Sequence, residues 1–167
     1  MRRLLSMIAV LSMGVMLFPT GEAKAIDLTH SFVIGADAGF DVDPELFALD
    51  MLAEYQVTGN VAVGPLITFG VDSTRFLFGM SGFAKYKANL VENSKLKPYG
   101  FIGIGFMDKQ TKNIPGDKWT GQTKFLIPVG GGFEYWQTDR FAWGADIVFN
   151  VTDNIFFSML FGVRTRF

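Results

Sequence analysis

Few residues in this chain have the type and spacing to do chemistry. There is one histidine, His30, and no cysteine. A hydrolytic site would need His30, the adjacent Ser31 and an acid to converge in space. The absence of cysteine removes thiol catalysis, thiolate metal ligation and disulfides together. Asp41, Asp43 and Glu45 form an acidic run that could hold Ca²⁺. It lacks the glycine and the distal glutamate of an EF-hand loop, so a solvated turn is the better reading. Gly103, Gly105 and the run Gly130 to Gly132 are not phosphate loops, because no helical segment follows them. With a net charge of −1 and no basic patch, a nucleic-acid partner is not expected. No cofactor and no metal site are indicated.

What remains is a dispersed set of charges: Asp37, Asp50, Glu54, Lys85, Lys124, Glu134, Asp146, Arg164 and Arg166. Each sits in a segment that alternates strictly, opposite the positions taken by Phe, Ile and Val. Period-two alternation puts successive side chains on opposite faces of a strand. Segments 30–40, 47–57, 61–71, 75–88, 97–106, 124–135, 141–150 and 155–167 all read this way. Short polar or glycine-bearing stretches join them as successive hairpins, and the longest connection is 107–122. Segment 47–57 contains good helix formers, but Asp50, Glu54 and Gln56 recur at even spacing, which favours a strand. Pro65 and Pro128 lie inside strands, where each removes a ladder donor. They are expected to mark bulges or weak points.

The amino terminus reads differently. Arg2 and Arg3 precede an apolar run from Leu4 to Phe18, Pro19 and Gly21 break it, and Ala23-Lys24-Ala25 offers a cleavage site. This is the layout of a secretory signal peptide, and the run is shorter than the ~20 residues a spanning helix needs. Residues 1–25 are therefore expected to be a leader, and 26–167 a single domain.

Two faces with such contrast could belong to a soluble sandwich, with the uncharged face as its core. The opposite face, however, is rich in Gly and Ala and sparse in Lys and Glu, and the supposed core would be overfilled with rings. Turned inside out, the pattern works. A closed eight-strand barrel has room inside only for side chains, so small residues must be interleaved with large ones. The inward charges are near balance, as burial of ions requires. Closure satisfies every backbone group, as hydrocarbon demands. Tyr55, Tyr86, Tyr135, Trp136, Phe141 and Trp143 lie near strand ends and suit interfacial aromatic girdles.

The segments Lys97-Pro-Tyr-Gly-Phe-Ile-Gly-Ile-Gly105, Pro128-Val-Gly-Gly-Gly-Phe-Glu-Tyr135 and Phe161-Gly-Val-Arg-Thr-Arg-Phe167 resemble the bacterial outer-membrane β-barrel family. Its eight-stranded members include the OmpA transmembrane domain and OmpX. The resemblance covers the mature chain. It implies an all-β, eight-stranded antiparallel up-and-down transmembrane barrel in the outer membrane, with both termini in the periplasm. It also implies that Phe167 is the assembly signal read by the barrel-assembly machinery. Outer-membrane lipids and lipopolysaccharide are the implied partners, with Lys109, Lys112 and Lys118 placed to meet phosphates, and the protein is expected to be a monomer. The motifs specify architecture and not activity. The expected role is structural or surface-interacting, without catalysis. The competing roles are a low-conductance pore, a lipid-A-modifying enzyme and a soluble calycin-like lipid binder. The charges Asp37, Asp50, Glu54, Lys85, Glu134, Asp146, Arg164 and Arg166 are expected to form an interior ion network that plugs the barrel. Within it, Arg164 is expected to be shared among Asp37, Asp50 and Asp146.

Overall fold

The computed structural model describes residues 30–42, 45–88, 94–112 and 120–167. The leader expected over 1–25 lies outside them, as do Asp43, Lys118 and the middle of the longest connection, residues 113–119. The described chain forms eight strands: β1 (Phe32–Val42), β2 (Leu46–Gln56), β3 (Val61–Val71), β4 (Arg75–Lys87), β5 (Leu96–Thr111), β6 (Thr120–Trp136), β7 (Phe141–Val151) and β8 (Ile155–Arg166). Each pairs antiparallel with the next, and β8 pairs with β1, so the sheet closes into a barrel. At the seam Val33 stands opposite Arg166 and Val42 opposite Phe157. Beyond the strand end, Phe167 and Phe32 exchange backbone hydrogen bonds of 2.8 and 3.4 Å. The proposed assembly residue thus lies on the closing seam, with its ring 74% exposed.

Closure gives the alternation its meaning. Outward positions carry Phe32, Ile34, Phe40, Met51, Tyr55, Ile102, Ile104, Phe125, Trp143 and Phe161, all exposed. Inward positions carry the buried residues, charged ones included. At the end that holds the chain termini, the outward face bears Tyr55, Tyr86 and Trp143, with Phe141 set edge-on to Trp143 at 5.3 Å. At the far end it bears phenylalanines in cross-strand pairs, Phe40 with Phe47 and Phe149 with Phe157. Two aromatic bands therefore bracket an apolar belt, as a bilayer with two interfaces requires.

Several expectations need correction. Strands β5 and β6 run on through Thr111 and from Thr120, so the ends of the presumed loop 107–122 are a paired ladder. Trp136 is no girdle residue: it is fully buried inside the barrel and its indole N–H donates to Glu134 at 3.2 Å. Asp41 is not in a turn but inward on β1, 1% exposed.

The two prolines act as weak ladder points and not as bulges. Between β2 and β3, paired residues skip from Leu52–Leu66 to Tyr55–Val63, leaving Pro65 opposite Ala53 without a bridge. Between β5 and β6 they skip from Ile102–Val129 to Gly105–Leu126 around Pro128. The register is the same on either side of each gap, so no residue has been inserted. Proline simply withholds a donor, and the neighbouring pair is lost with it.

The turn between β3 and β4 is tightened by Asp72, which accepts from the Thr74 and Arg75 amides at 2.6 and 2.8 Å. The Thr74 amide in particular holds this carboxyl down to about 2.

The ladder gaps should be visible in solution. Amides of Ala53 and Gly103, which face the two prolines, should exchange with deuterium faster than those of Met51 and Tyr55 or of Phe101 and Gly105, which face intact bridges of the same ladders. Uniformly slow exchange along β2–β3 and β5–β6 would show the ladders to be intact.

Candidate functional site in the charged interior

The inward residues sort into three levels along the barrel axis. Nearest the termini, Glu54 on β2, Lys85 and Lys87 on β4 and Glu134 on β6 form a square. Lys85 bonds Glu54 closely and lies 3.2 Å from Glu134, while Lys87 lies 3.0 Å from Glu54 and 2.9 Å from Glu134. Gln56 and Trp136 each donate a further hydrogen bond, to Glu54 and Glu134. Two cations and two anions with no more than 3% exposure make a neutral, nearly saturated unit. Below it, Val33, Trp136 and Ala142 pack together and seal the terminal end.

At mid-barrel, Arg164 on β8 is fully buried between its neighbouring strands. It bonds Asp37 of β1 through Nη1 and Asp146 of β7 through Nη2, the latter at 2.9 Å. The Tyr99 hydroxyl donates to Asp146. The Tyr99 ring also lies under the Lys85 ammonium, 4.1 Å from it, and so links the two levels. The arginine fits because its neighbours are glycines. A Cβ on Gly35 would come within 2.5 Å of the Arg164 side chain, and one on Gly144 within 3.2 Å. Glycines in strands usually weaken them; here they clear the slot for the largest inward cation.

Asp50 departs from the expected network. Its partner is Thr68 and not Arg164, and its Oδ1 has no partner. It borders a cavity of about 20 Å³, together with Asp37, Lys85, Tyr99 and Asp146. That volume admits about one water molecule.

Toward the far end, Asp41 accepts from Ser158, which in turn accepts from Asn150 at 3.1 Å. Above this, Leu46, Leu77, Met107, Leu126 and Phe156 form an apolar layer, each at most 6% exposed. The barrel is thus closed by side chains at both ends.

Of the charges read from sequence, Glu54, Lys85 and Glu134 meet in the square, and Asp37, Asp146 and Arg164 meet at mid-barrel. Arg166 belongs to neither cluster: it is part-exposed at the terminal rim, beside the Arg140 carbonyl that its amide bonds. Lys124 lies at the far rim, 2.5 Å from Asp153 in the β7–β8 turn, and is not interior. Reading from sequence missed Lys87, Asp41 and Trp136. Each is two residues beyond an inward position already identified, and continuing the count would have found it.

His30 ends up at the terminal rim, its ring 3.2 Å from the Tyr55 hydroxyl, with neither Ser31 nor an acid in that contact. Among the described residues no group of three or more His, Asp or Glu could hold a metal ion.

This geometry is that of an eight-stranded outer-membrane β-barrel, and comparison with solved structures agrees. The chain superimposes on the N-terminal β-barrel domain of OprF from Pseudomonas aeruginosa with a TM-score of 0.64 at 20% identity, covering 83% of this chain and 98% of that one. Neisserial surface protein A gives 0.68 at 19% identity, covering 81% and 97%. Ail, the attachment invasion locus protein of Yersinia pestis, gives 0.56 at 13% identity, covering 82% and 97%. No protein-family profile matches the sequence, and no curated protein does. Such identities speak for the fold alone.

The mid-barrel cluster makes a direct prediction. Arg164→Ala leaves Asp37 and Asp146 buried without their cation, and breaking such a pair costs about 3–5 kcal/mol. Thr165→Ala, on the outward face next door, should change little. The comparison is the urea midpoint of barrel unfolding for the two variants. An Arg164→Ala protein that unfolds like wild type would show the buried pair to be energetically silent.

Proposed function

We propose that this protein is a closed, non-catalytic barrel of the bacterial outer membrane that acts through its outer surface and its exposed rim. One observation carries the reading: the interior is filled. The charged square, the Arg164 cluster and the apolar layer at the far end flank a mid-barrel cavity of about 20 Å³. A conducting path needs continuous water, and a lipid-binding calycin needs a cavity of hundreds of cubic ångströms. Neither fits. The described side-chain contact of His30 is with the Tyr55 hydroxyl.

In this reading the termini face the periplasm. The turns after β1, β3, β5 and β7 then face outside the cell, and Lys109 and Lys112 near the outer rim meet lipopolysaccharide phosphates. The exported leader over 1–25 and insertion through the assembly machinery at Phe167 belong to the same proposal. The outer-membrane character of OprF, Neisserial surface protein A and Ail supports it, as do the paired aromatic bands. Two of these neighbours, a neisserial surface protein and an attachment invasion locus protein, favour a surface role over a pore.

Refolded protein in a planar bilayer should give no steady conductance, and lipid A extracted from expressing cells should be unmodified by mass spectrometry. Steady single-channel openings would replace this reading with that of a pore. Location has its own check. Cysteine at Asn154, in the exposed β7–β8 turn, should react with an impermeant maleimide on intact cells, whereas cysteine at Thr138 should react only after the outer membrane is broken. The reverse pattern would invert the topology.

A further inference from the structure

The interior holds more negative charge than positive. Among the described residues six carboxyl groups are buried in the lumen, against three cations, Lys85, Lys87 and Arg164. The near balance expected from sequence counted Lys124 and Arg166 as inward, and both lie at the rims. Buried carboxylates that lack a cation neutralise by taking a proton, because holding the bare charge costs more.

The ion pairs show where the excess lies. Lys85 and Lys87 are engaged by Glu54 and Glu134, and that square is neutral by itself. Arg164 is left for the remaining acids, and it bonds Asp37 and Asp146. Asp41 and Asp50 have hydroxyl partners instead, Ser158 and Thr68. Each keeps one oxygen unpartnered, Oδ2 of Asp41 and Oδ1 of Asp50. Of the two, Asp50 is the more crowded by like charge. It stands directly opposite Asp37 in the β1–β2 ladder, a placement that disfavours two anions. It also borders the mid-barrel cavity, whose lining includes both Asp37 and Asp146.

We propose that the mid-barrel cavity is a proton-binding site, with Asp50 carried as the neutral acid in the folded barrel at neutral pH. A protonated carboxyl is a donor as well as an acceptor. The cavity supplies what it needs, carboxylate oxygens on its lining and room for about one linking water. The Thr68 hydroxyl donates or accepts, so it serves a neutral partner as well as a charged one. The titratable groups around Asp50 are Asp37 and Asp41 from β1, Lys85 from β4, Tyr99 from β5 and Asp146 from β7. Lys85 is committed to Glu54 of β2 and Glu134 of β6, and Arg164 of β8 to Asp37 and Asp146. A metal ion fits less well, since no three acid or histidine ligands converge among the described residues. This inference concerns the lumen and stands whichever surface role the barrel has.

The test compares wild type with Asp50→Asn in lipid vesicles, by urea unfolding from about pH 5 to about pH 9, above the ordinary aspartate range. The unfolded chain has released this proton there, whereas the folded barrel keeps it. Stability should therefore fall as pH rises, with the unfolding constant growing by up to about tenfold per pH unit from this group. Asparagine is neutral and of the same shape, so the variant's profile should be flatter by about one proton. Parallel profiles overturn the proposal. The wild-type infrared spectrum at neutral pH should also carry the carbonyl stretch of a protonated, buried carboxyl. Its absence overturns the proposal even where Asp50→Asn does not assemble. Replacing sodium with N-methylglucamine at constant ionic strength should leave both profiles unchanged. A midpoint that follows sodium would assign the compensating charge to a metal ion and overturn the proton.

Discussion

The structure depends on one constraint: hydrocarbon offers no partner to a backbone N–H or C=O. Every strand must therefore be paired on both sides within the membrane, and the sheet has to close on itself. Here the closure is made between β1 and β8, through the ladder from Val33–Arg166 to Val42–Phe157. Where pairing does lapse inside the belt, at Pro65 and Pro128, the lapse is brief and the register recovers at once.

Closure with eight strands creates the second problem, a narrow lumen that must be filled without leaving charge unbalanced. The protein fills it with polar levels between apolar seals. Lys85 and Lys87 each bond both Glu54 and Glu134, so no single ion pair carries the level. Arg164 spans three strands by bonding Asp37 and Asp146. Buried ions of this kind are poor sources of net stability but severe penalties when broken. They specify register: slipping β8 by one residue would put Arg164 into lipid and Thr165 into the cluster. The glycines at 35 and 144 serve the same end, because any side chain there would displace the guanidinium.

A filled interior moves function to the outside. The lumen has no room for a solute and the mid-barrel cavity holds about one water. Among the described residues the exposed features are the lipid belt, the turns and the far rim.

Much of this was legible in the chain. Period-two alternation is a local property, so the strands and their lipid and lumen faces can be read residue by residue, and the excess of small inward residues already implied a narrow closed barrel. The turns were less legible. Asp41 was read into a turn, Trp136 into an interfacial girdle and Lys87 into no cluster, yet the alternation runs through all three and puts them inside. Only the tertiary structure decided which inward charges meet. Partners such as Asp37 and Arg164, or Lys87 and Glu134, are far apart in sequence and share a level because strand tilt and register bring them there. Asp50, equally inward and nearby, was left to Thr68 because Arg164 reaches toward its flanking strands β1 and β7, and Asp50 is on β2.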